Sequence, residues 1–523
     1  MGELPMVDSR YDYLIIGAGT AGCVLAARLS EDPSVSVCVI EAGPDYPTLE
    51  SLPPKIRDGL LTSADIMPGD HEWGFTASPN ADAPEMFVPR GKIVGGSSAV
   101  NGQMFLRGVP EDFDGWAAAG NPLWSFDSVL PFFVNLENDL DFSGAYHGKI
   151  GPIPVRRWAR PEWLPPQEAF YAACRDAGYP DSPDHNAPDA TGVGPTPLNQ
   201  VDRVRWSTHV GYLMPARARR NLTVMSDTLA LRVLVETGRA IGAELSHEKG
   251  ISRIGAGEVI LSAGPIKSPQ LLMLSGIGPA AELRRFGIGV IVDLPGVGRN
   301  VRDHPNVGVL FPYADSYRVR PDLPRYQVIL RYTAPGSPFR NDLQIFFTSF
   351  ATRRVDRGGT GMDSLGIAFQ PVLNLAVSQG VFALQSADPT VQPRLDYHLL
   401  DEEFDRARMR HAMRMCADLG DHASFRDLVS GLTIPERRVL DSDVALDRWL
   451  RREVATTHHI SGTCRMGPAS DRMTVVDERG RVHGVRSLRV ADASIMPDCV
   501  RANTNATVMM IGERLADIMR TVG

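Results

Sequence analysis

Tyr13-Leu14-Ile15-Ile16-Gly17-Ala18-Gly19-Thr20-Ala21-Gly22 decides the fold of this chain. A short apolar run of strand length leads straight into a Gly-x-Gly-x-x-Gly turn, and Cys23 to Leu29 continue with apolar residues at helical spacing. The pattern predicts strand, tight turn and helix. Gly17 permits the turn, Gly19 lets backbone approach a pyrophosphate, and Gly22 lets helix and strand pack closely. The helix start at Thr20 and Ala21 then offers free N–H groups to the anion. A second predicted strand, Val35 to Ile40, ends at Glu41, nineteen residues beyond Gly22. A carboxylate there takes the hydroxyl pair of a ribose and disfavours a 2′-phosphate, so the reading is FAD or NAD rather than NADP. The competing reading is an ordinary glycine-rich strand-to-helix turn.

Around this fingerprint lie 523 residues, 43% hydrophobic and 22% charged, with a formal net charge of -8. At ~150 residues per domain that predicts two to four globular domains. Only five of the 54 basic residues are lysines (Lys55, Lys92, Lys149, Lys249 and Lys267), and the arginines are scattered. Without a concentrated basic patch, nucleic acid and acidic membranes are not expected partners, which leaves small molecules. The six cysteines, Cys23, Cys38, Cys174, Cys416, Cys464 and Cys499, show no Cys-x-x-Cys spacing, so reduced thiols in a cytoplasm are expected. No segment approaches 18 uninterrupted apolar residues and the N-terminus has no signal-peptide pattern, so neither a membrane span nor export is expected.

Two further segments carry the argument from dinucleotide to flavin. Pro89 to Gly102, PRGKIVGGSSAVNG, has too many glycines and hydroxyls for a helix or buried strand and reads as a loop closing on a planar ligand, the alternative being an exposed linker. Gly264 to Gly278, GPIKSPQLLMLSGIG, follows the strand-like Glu258 to Ala263 and reads as a turn and short helix. These segments resemble both signatures of the glucose-methanol-choline (GMC) family of FAD-dependent oxidoreductases. Leu294 to Pro305 is similar to a further family segment, and two more follow near the C-terminus. The resemblance runs from Tyr13 to Ala516 and weakens between about Asn306 and Leu450.

The resemblance implies a mixed α/β protein. A Rossmann-like FAD-binding domain would be built from residues 1–155, 221–305 and 456–523. A substrate-binding domain of residues 156–220 and 306–455, with a mostly antiparallel sheet and flanking helices, would roof the flavin ring. It adds to the cofactor contacts Ala42 beside Glu41, then Gly91, Val94, Gly95, Ser98, Asn101, Gly102, Gln103 and Met104, and finally Asp492, Ala493, Asn503 and Thr504. Asp492 could equally be a turn acid. Val100 stands where certain members carry a histidine covalently attached to the flavin, so non-covalent FAD is expected.

Oxidising an alcohol requires a base for the hydroxyl proton and a polar group that orients the oxygen while hydride leaves for flavin N5. In Thr456-Thr457-His458-His459-Ile460-Ser461-Gly462-Thr463 the family's catalytic histidine stands three residues before Gly462, which selects His459. The matching partner position is Asn503, giving a His-Asn pair as in the branch that looks like choline and small aryl-alcohol or hydroxymethylfurfural oxidases. The alternatives are a core histidine at 459 and a helix cap or turn at 503, with Asn505 a good N-cap for the helical pattern Val508, Ile511, Leu515, Ile518. That helix would aim its positive end at the flavin. His458 either lines the pocket or anchors backbone. His147, His247 and His422 sit singly in polar stretches and are expected at the surface. No Gly-x-Ser-x-Gly, His-Glu-x-x-His or paired Cys/His spacing occurs, so no metal site is expected; from a strand, His458 and His459 would face opposite sides.

The expected function is FAD-dependent oxidation of a primary alcohol to the aldehyde, with oxygen or another electron acceptor. The alternative is a lyase or decarboxylase that keeps the flavin. Phe347, Phe369 and Gln103 are candidates for the pocket roof, with core or support as the alternative. Proline clusters at Pro152 to Pro166 and Pro321 to Pro338 mark irregular connections, flanked by strands of a separate sheet. Oligomeric state is not read from the sequence.

Overall fold

The computed structural model describes residues 6–66, 69–317, 323–352 and 364–522. Two seven-stranded sheets organise the chain, each assembled from distant segments. In the first, Met6–Ile16 lies parallel between Val37–Ile40 and Gly250–Leu261, with Leu14 opposite both Cys38 and Val259. Leu222–Met225 extends one side in parallel, and Leu488–Val490 pairs in parallel with the far half of Gly250–Leu261. Arg239–His247 and Leu229–Glu236 complete the other side as an antiparallel hairpin. Leu14, Ile15, Val37, Cys38 and Val39 are fully buried, the pattern of parallel strands covered on both faces.

The fingerprint strand begins at Met6, earlier than the apolar run at Tyr13 suggests, because pairing with Gly250–Leu261 carries polar residues into the sheet. Val35 and Ser36 stay outside the second strand, Val37–Ile40. Helix Thr20–Leu29 packs against the last helix, Thr504–Val522. The two approach so closely that a Cβ on Gly512 would stand 2.9 Å from Val24 Cβ. Arg28 pairs with Glu513 at 2.9 Å across the same contact.

The second sheet is antiparallel throughout. Its main path runs Ala455–Thr456, Pro305–Asn306, Ser364–Leu373, Leu343–Thr352, Val328–Tyr332 and Gly192–Pro195, with Val309–Phe311 beside Ser364–Leu373. Strand alternation gives it two faces. Phe347 and Phe369 are paired, fully buried and packed on the outer side, where Phe170 stacks on Phe347 at 4.7 Å and Phe425 closes the cluster. The next pair along, Phe346 and Gln370, faces a cavity between the sheets.

Three sequence expectations are corrected here. Pro321 itself lies outside the described residues, but its cluster contains the buried strand Val328–Tyr332. In the other cluster, Pro154 sits within the short strand Ile153–Val155, and Pro165 and Pro166 open the helix Pro165–Asp176. Proline is tolerated in a helix's first turn, where no intrahelical acceptor exists for its missing N–H.

The third correction is His147, expected in solvent but buried. Its ring sits among Glu137 Oε1 at 3.1 Å, Asp139 Oδ2 at 3.1 Å and Asp184 Oδ2 at 2.8 Å. Glu137, Asp139 and His147 could by spacing hold a metal, yet Arg107 already pairs with Glu137 at 2.6 Å and Arg157 with Asp139 at 3.0 Å. Both ring nitrogens meeting carboxylates requires the protonated ring. Burial opposes that charge, but hydrogen bonds to Asp139, Asp184 and Glu137 outweigh it and push the His147 pKa up to about 10. A folded pKa above the unfolded value gives stability that is complete below ~6.5 and lost as pH rises through about 10. Thermal melts should therefore fall between pH 6.5 and 10, and His147→Leu should be less stable at pH 6 and lack most of that slope.

Candidate active site

The cavity between the sheets holds about 830 Å³. Gly17, Gly19, Thr20 and Ala21 line one end, joined by Glu41 and Ala42. Gly91, Asn101, Gly102, Gln103 and Met104 of the Pro89 to Gly102 segment and its continuation form another wall, and Asp492, Ala493, Asn503 and Thr504 a third. The remaining candidates stand behind the surface. Gly22 lies where a Cβ would overlap the Gly17 carbonyl oxygen. Val94 N–H donates to Pro44 O at 3.0 Å and Gly95 N–H to Ala18 O at 2.7 Å, which docks the loop on the fingerprint turn. Ser98 Oγ donates to Gly95 O at 2.6 Å and meets Thr208 Oγ1 at 3.0 Å, pinning the loop from the rear. These four shape the wall rather than line it.

Glu41 is buried, with Oε2 accepting from Ala18 N–H and Oε1 from Gly43 N–H, each at 3.0 Å. Burial pushes its pKa up to about 7 against those hydrogen bonds. Asp492 is a turn acid as well as a wall residue: it accepts from Ser494 N–H at 2.8 Å, Gly264 N–H at 2.9 Å and Ser268 Oγ at 2.6 Å. Gln103, at φ 59, holds its own loop through Leu61 O and Asn101 O. Of the three proposed roof residues it alone reaches the cavity. Phe347 and Phe369 belong to the core, and Phe346, Thr348, Ala368, Gln370 and Tyr326 form the roof instead.

The His-Asn pair meets. Asn503 Nδ2 lies 3.2 Å from His459 Nε2, on the cavity surface. Asn503 directly precedes helix Thr504–Val522. Asn505 is therefore inside the first turn and not its cap; its Oδ1 accepts from Thr20 Oγ1 at 3.1 Å, tying the last helix to the fingerprint helix. His458 and His459 follow the strand Ala455–Thr456 instead of lying in it, and His458 adopts φ 68. His458 is among the residues lining the cavity, and its backbone is anchored: N–H donates to Thr456 Oγ1 at 2.7 Å, and C=O accepts from Arg90 Nη1 at 2.7 Å. A non-glycine residue held at positive φ is strained backbone that such bonds must maintain.

Several functional neighbours were not selected from sequence. Asp303 is buried and gathers the N–H of His304 at 2.7 Å, the N–H of His459 at 3.0 Å and the Thr456 hydroxyl. His459 Nδ1 lies 3.0 Å from Thr457 Oγ1 and 2.9 Å from His304 Nδ1. Asp303 and His304 sit in a recognised family segment, but no spacing rule links them to residue 459. Burial, with His304, His458 and Arg90 adding to it, holds the His459 pKa well below the usual histidine value. A neutral imidazole beside an amide is equipped to accept a proton from a hydroxyl group.

Comparison with known proteins agrees with this architecture. Residues 11–306 and 376–512 match the N- and C-terminal models of the GMC oxidoreductases. The chain is 36% identical to 5-(hydroxymethyl)furfural oxidase of Methylovorus sp. (strain MP688), covering 99% of this chain and 100% of that one. It is 34% identical to the oxygen-dependent choline dehydrogenase of Brucella anthropi, covering 97% and 95%. Among solved structures, pyridoxine 4-oxidase from Mesorbium loti superposes with a TM-score of 0.89 at 29% identity over 98% of this chain and 99% of that one. The fold and site are those of an FAD-dependent oxidoreductase. This chain belongs to the GMC oxidoreductase family, whose members bind FAD and whose homologues here oxidise alcohols.

The residues present fit FAD. Gly19 lines the cavity and a Cβ on it would meet nothing nearer than 3.8 Å, so its backbone is open to a ligand, whereas Gly17 and Gly96 leave no room for a Cβ against Ser262 and Gly19. Gly19 at the helix N-cap provides no side-chain cap, which leaves first-turn N–H groups for an anion. Asn503 Oδ1 and Asn505 Nδ2 are buried without a partner among the described residues. No helix among the described residues is long and apolar enough to cross a membrane.

The two faces of the roof strand give a paired test. Phe347→Ala should cost about 3–5 kcal/mol of stability, as for a large aromatic removed from a core, with KM little changed. Phe346→Ala should alter KM or alcohol preference with a smaller loss of stability. Chemical unfolding and steady-state kinetics on a panel of alcohols read both.

Proposed function

We propose that this chain oxidises a primary alcohol to the aldehyde, with His459 as the base and Asn503 orienting the substrate oxygen. The observation that carries the reading is the pairing of His459 Nε2 with the Asn503 amide at 3.2 Å on the cavity surface. An amide N–H that donates to Nε2 leaves that nitrogen with no proton of its own, so once a substrate hydroxyl takes the amide's place its lone pair accepts the proton that the alcohol gives up. Asn503 Nδ2 then has a hydrogen to offer the oxygen as negative charge develops there. The relatives named above that act on 5-(hydroxymethyl)furfural and choline support the substrate class, both compounds being primary alcohols.

Bound FAD supplies the hydride acceptor at N5. In this reading residues 1–155, 221–305 and 456–523 hold it, and residues 156–220 and 306–455 cover the substrate. The contacts are those of Gly17 to Gly22, Glu41, Ala42, the Gly91 to Met104 wall, Asp492, Ala493, Asn503 and Thr504. Val100, buried in the cavity wall, has no nucleophile to join the flavin, so the FAD is non-covalent. Oxygen or another electron acceptor completes turnover. All six cysteines are buried free thiols, which suits a reducing cytoplasm.

Denaturation by acid or heat should release free FAD into the supernatant; flavin retained by the precipitate would contradict non-covalent binding. Under anaerobic stopped flow, His459→Ala should keep FAD and lose at least ~10²-fold in flavin reduction by alcohol, the lower range for a missing general base. Asn503→Ala should depress kcat and kcat/KM together by ~5- to 150-fold, the loss of one buried hydrogen bond, whereas uniform binding would appear chiefly in KM. Asn503→His, which can still donate, should retain more activity.

A further inference from the structure

Alcohol chemistry uses one nitrogen of His459, and the other meets a second histidine. Nδ1 of His459 and Nδ1 of His304 are 2.9 Å apart, with the rings edge to face at 75° and their centroids 5.0 Å apart. Two ring nitrogens at that distance share one proton. Which ring owns it follows from the neighbours. Asn503 Nδ2 donates to His459 Nε2, so neutral His459 carries its proton on Nδ1. The Thr457 hydroxyl donates to His304 O at 2.9 Å, so its oxygen is an acceptor toward His459 Nδ1 and has no second proton to give. The Nδ1 of His304 is then the bare one.

We propose that His304 is a positioning residue for the base: its bare Nδ1 accepts the Nδ1–H of His459 and locks that ring in the tautomer whose Nε2 is open to the substrate. The inference rests on the reading of His459 as base. As the alcohol O–H bond breaks, its proton forms an N–H bond at His459 Nε2, and the hydride goes to the bound flavin that the family's activity supplies. The imidazolium left on the protein points its Nδ1–H at a lone pair. His304 keeps that role without taking the proton, because burial, with Arg302 adding to it, pushes its own pKa down to about 3.

In a Ser-His-Asp site a carboxylate orients the histidine. Here the nearby carboxylate, Asp303, is committed to backbone N–H groups and the Thr456 hydroxyl, and a neutral imidazole has the orienting position. The other titratable or charged groups facing the pair are His458, Arg90 and Arg302, the last held to Asp498 at 2.7 Å. Asp303 meets the backbone N–H of His459 and not its ring, so among the described residues it is the Nδ1 of His304, 2.9 Å away, that is placed to accept the Nδ1–H of His459.

The test uses FAD-loaded His304→Leu and His304→Asn with the wild type and His459→Ala, read by anaerobic flavin reduction at saturating alcohol from pH 5 to 9. FAD content and thermal melts accompany each variant. Leucine fills the space and accepts no hydrogen bond; asparagine offers an amide oxygen near the lost Nδ1. His304→Leu should slow the plateau about 10- to 100-fold, the range for a hydrogen bond to a charged group. It should also move the acid limb to lower pH, since the imidazolium has lost its acceptor, and His304→Asn should recover most of both. Wild-type plateau and limb in His304→Leu, with His459→Ala slow, would make His304 mere core and leave the base assignment standing. Rapid reduction in His459→Ala would instead overturn the base itself. Should His304→Leu fail to hold FAD, ¹⁵N-histidine spectra of the wild-type holoenzyme decide: the ring whose signals vanish in His459→Ala must show bare Nε2 and protonated Nδ1 at pH 8, and the reverse tautomer overturns the proposal.

Discussion

Backbone touching backbone around the fingerprint turn is the constraint on which the rest of the molecule depends. Gly17 has φ 102, and a Cβ there would stand 2.5 Å from Ser262 O. A Cβ on Gly96 would press on Gly19 at 2.7 Å. Three remote stretches therefore meet at one point: the first strand and its turn, the end of Gly250–Leu261, and the loop of the first signature. Any side chain there would force them apart and take with it the cavity wall they jointly form. The helix Thr504–Val522 adds a fourth stretch through Gly512 against Val24 and Asn505 against Thr20, and in doing so places Asn503.

The end of the cavity that holds His459 is built on a different principle, a buried carboxyl group spread over backbone. Asp303 holds the N–H groups of His304 and His459 together, while Arg90 grips the carbonyl of His458. Burial pushes Asp303 up to about 6, against the Thr456 hydroxyl, the backbone bonds and Arg90. Such an arrangement fixes two loops more than 150 residues apart in sequence with few side chains. It also brings the rings of His304 and His459 together, Nδ1 to Nδ1 at 2.9 Å.

Local chemistry was legible in the order of residues. Apolar strand, glycine turn and helical spacing occupy neighbouring positions at Tyr13 to Leu29, so their meaning needs no distant partner, and Glu41 follows from one more strand. The match of His459 with Asn503 came from family motifs, each recognisable by itself. What sequence left undecided is instructive at Phe347. Moving one position along a strand turns a side chain to the opposite face, so the choice between Phe346 and Phe347 depends on which side of the sheet the helices cover. His147 was misplaced for a similar reason: its polar surroundings in sequence say nothing of Glu137, Asp139, Asp184, Arg107 and Arg157 closing over it.

By itself, then, the sequence determined the dinucleotide-binding turn, because strand, glycines and helix are written in one short run whose geometry is set by φ, ψ and residue spacing; the family, the mixed α/β class and the pair at 459 and 503 were legible through the resemblance of separate motifs to those of the GMC oxidoreductases. Only the tertiary structure decided the roof of the pocket, the burial of His147, the strained backbone at His458 and the contact between His304 and His459. Those depend on charge compensation, sheet facing and loop closure among residues that no periodicity relates, and they exist only once the chain has folded back on itself.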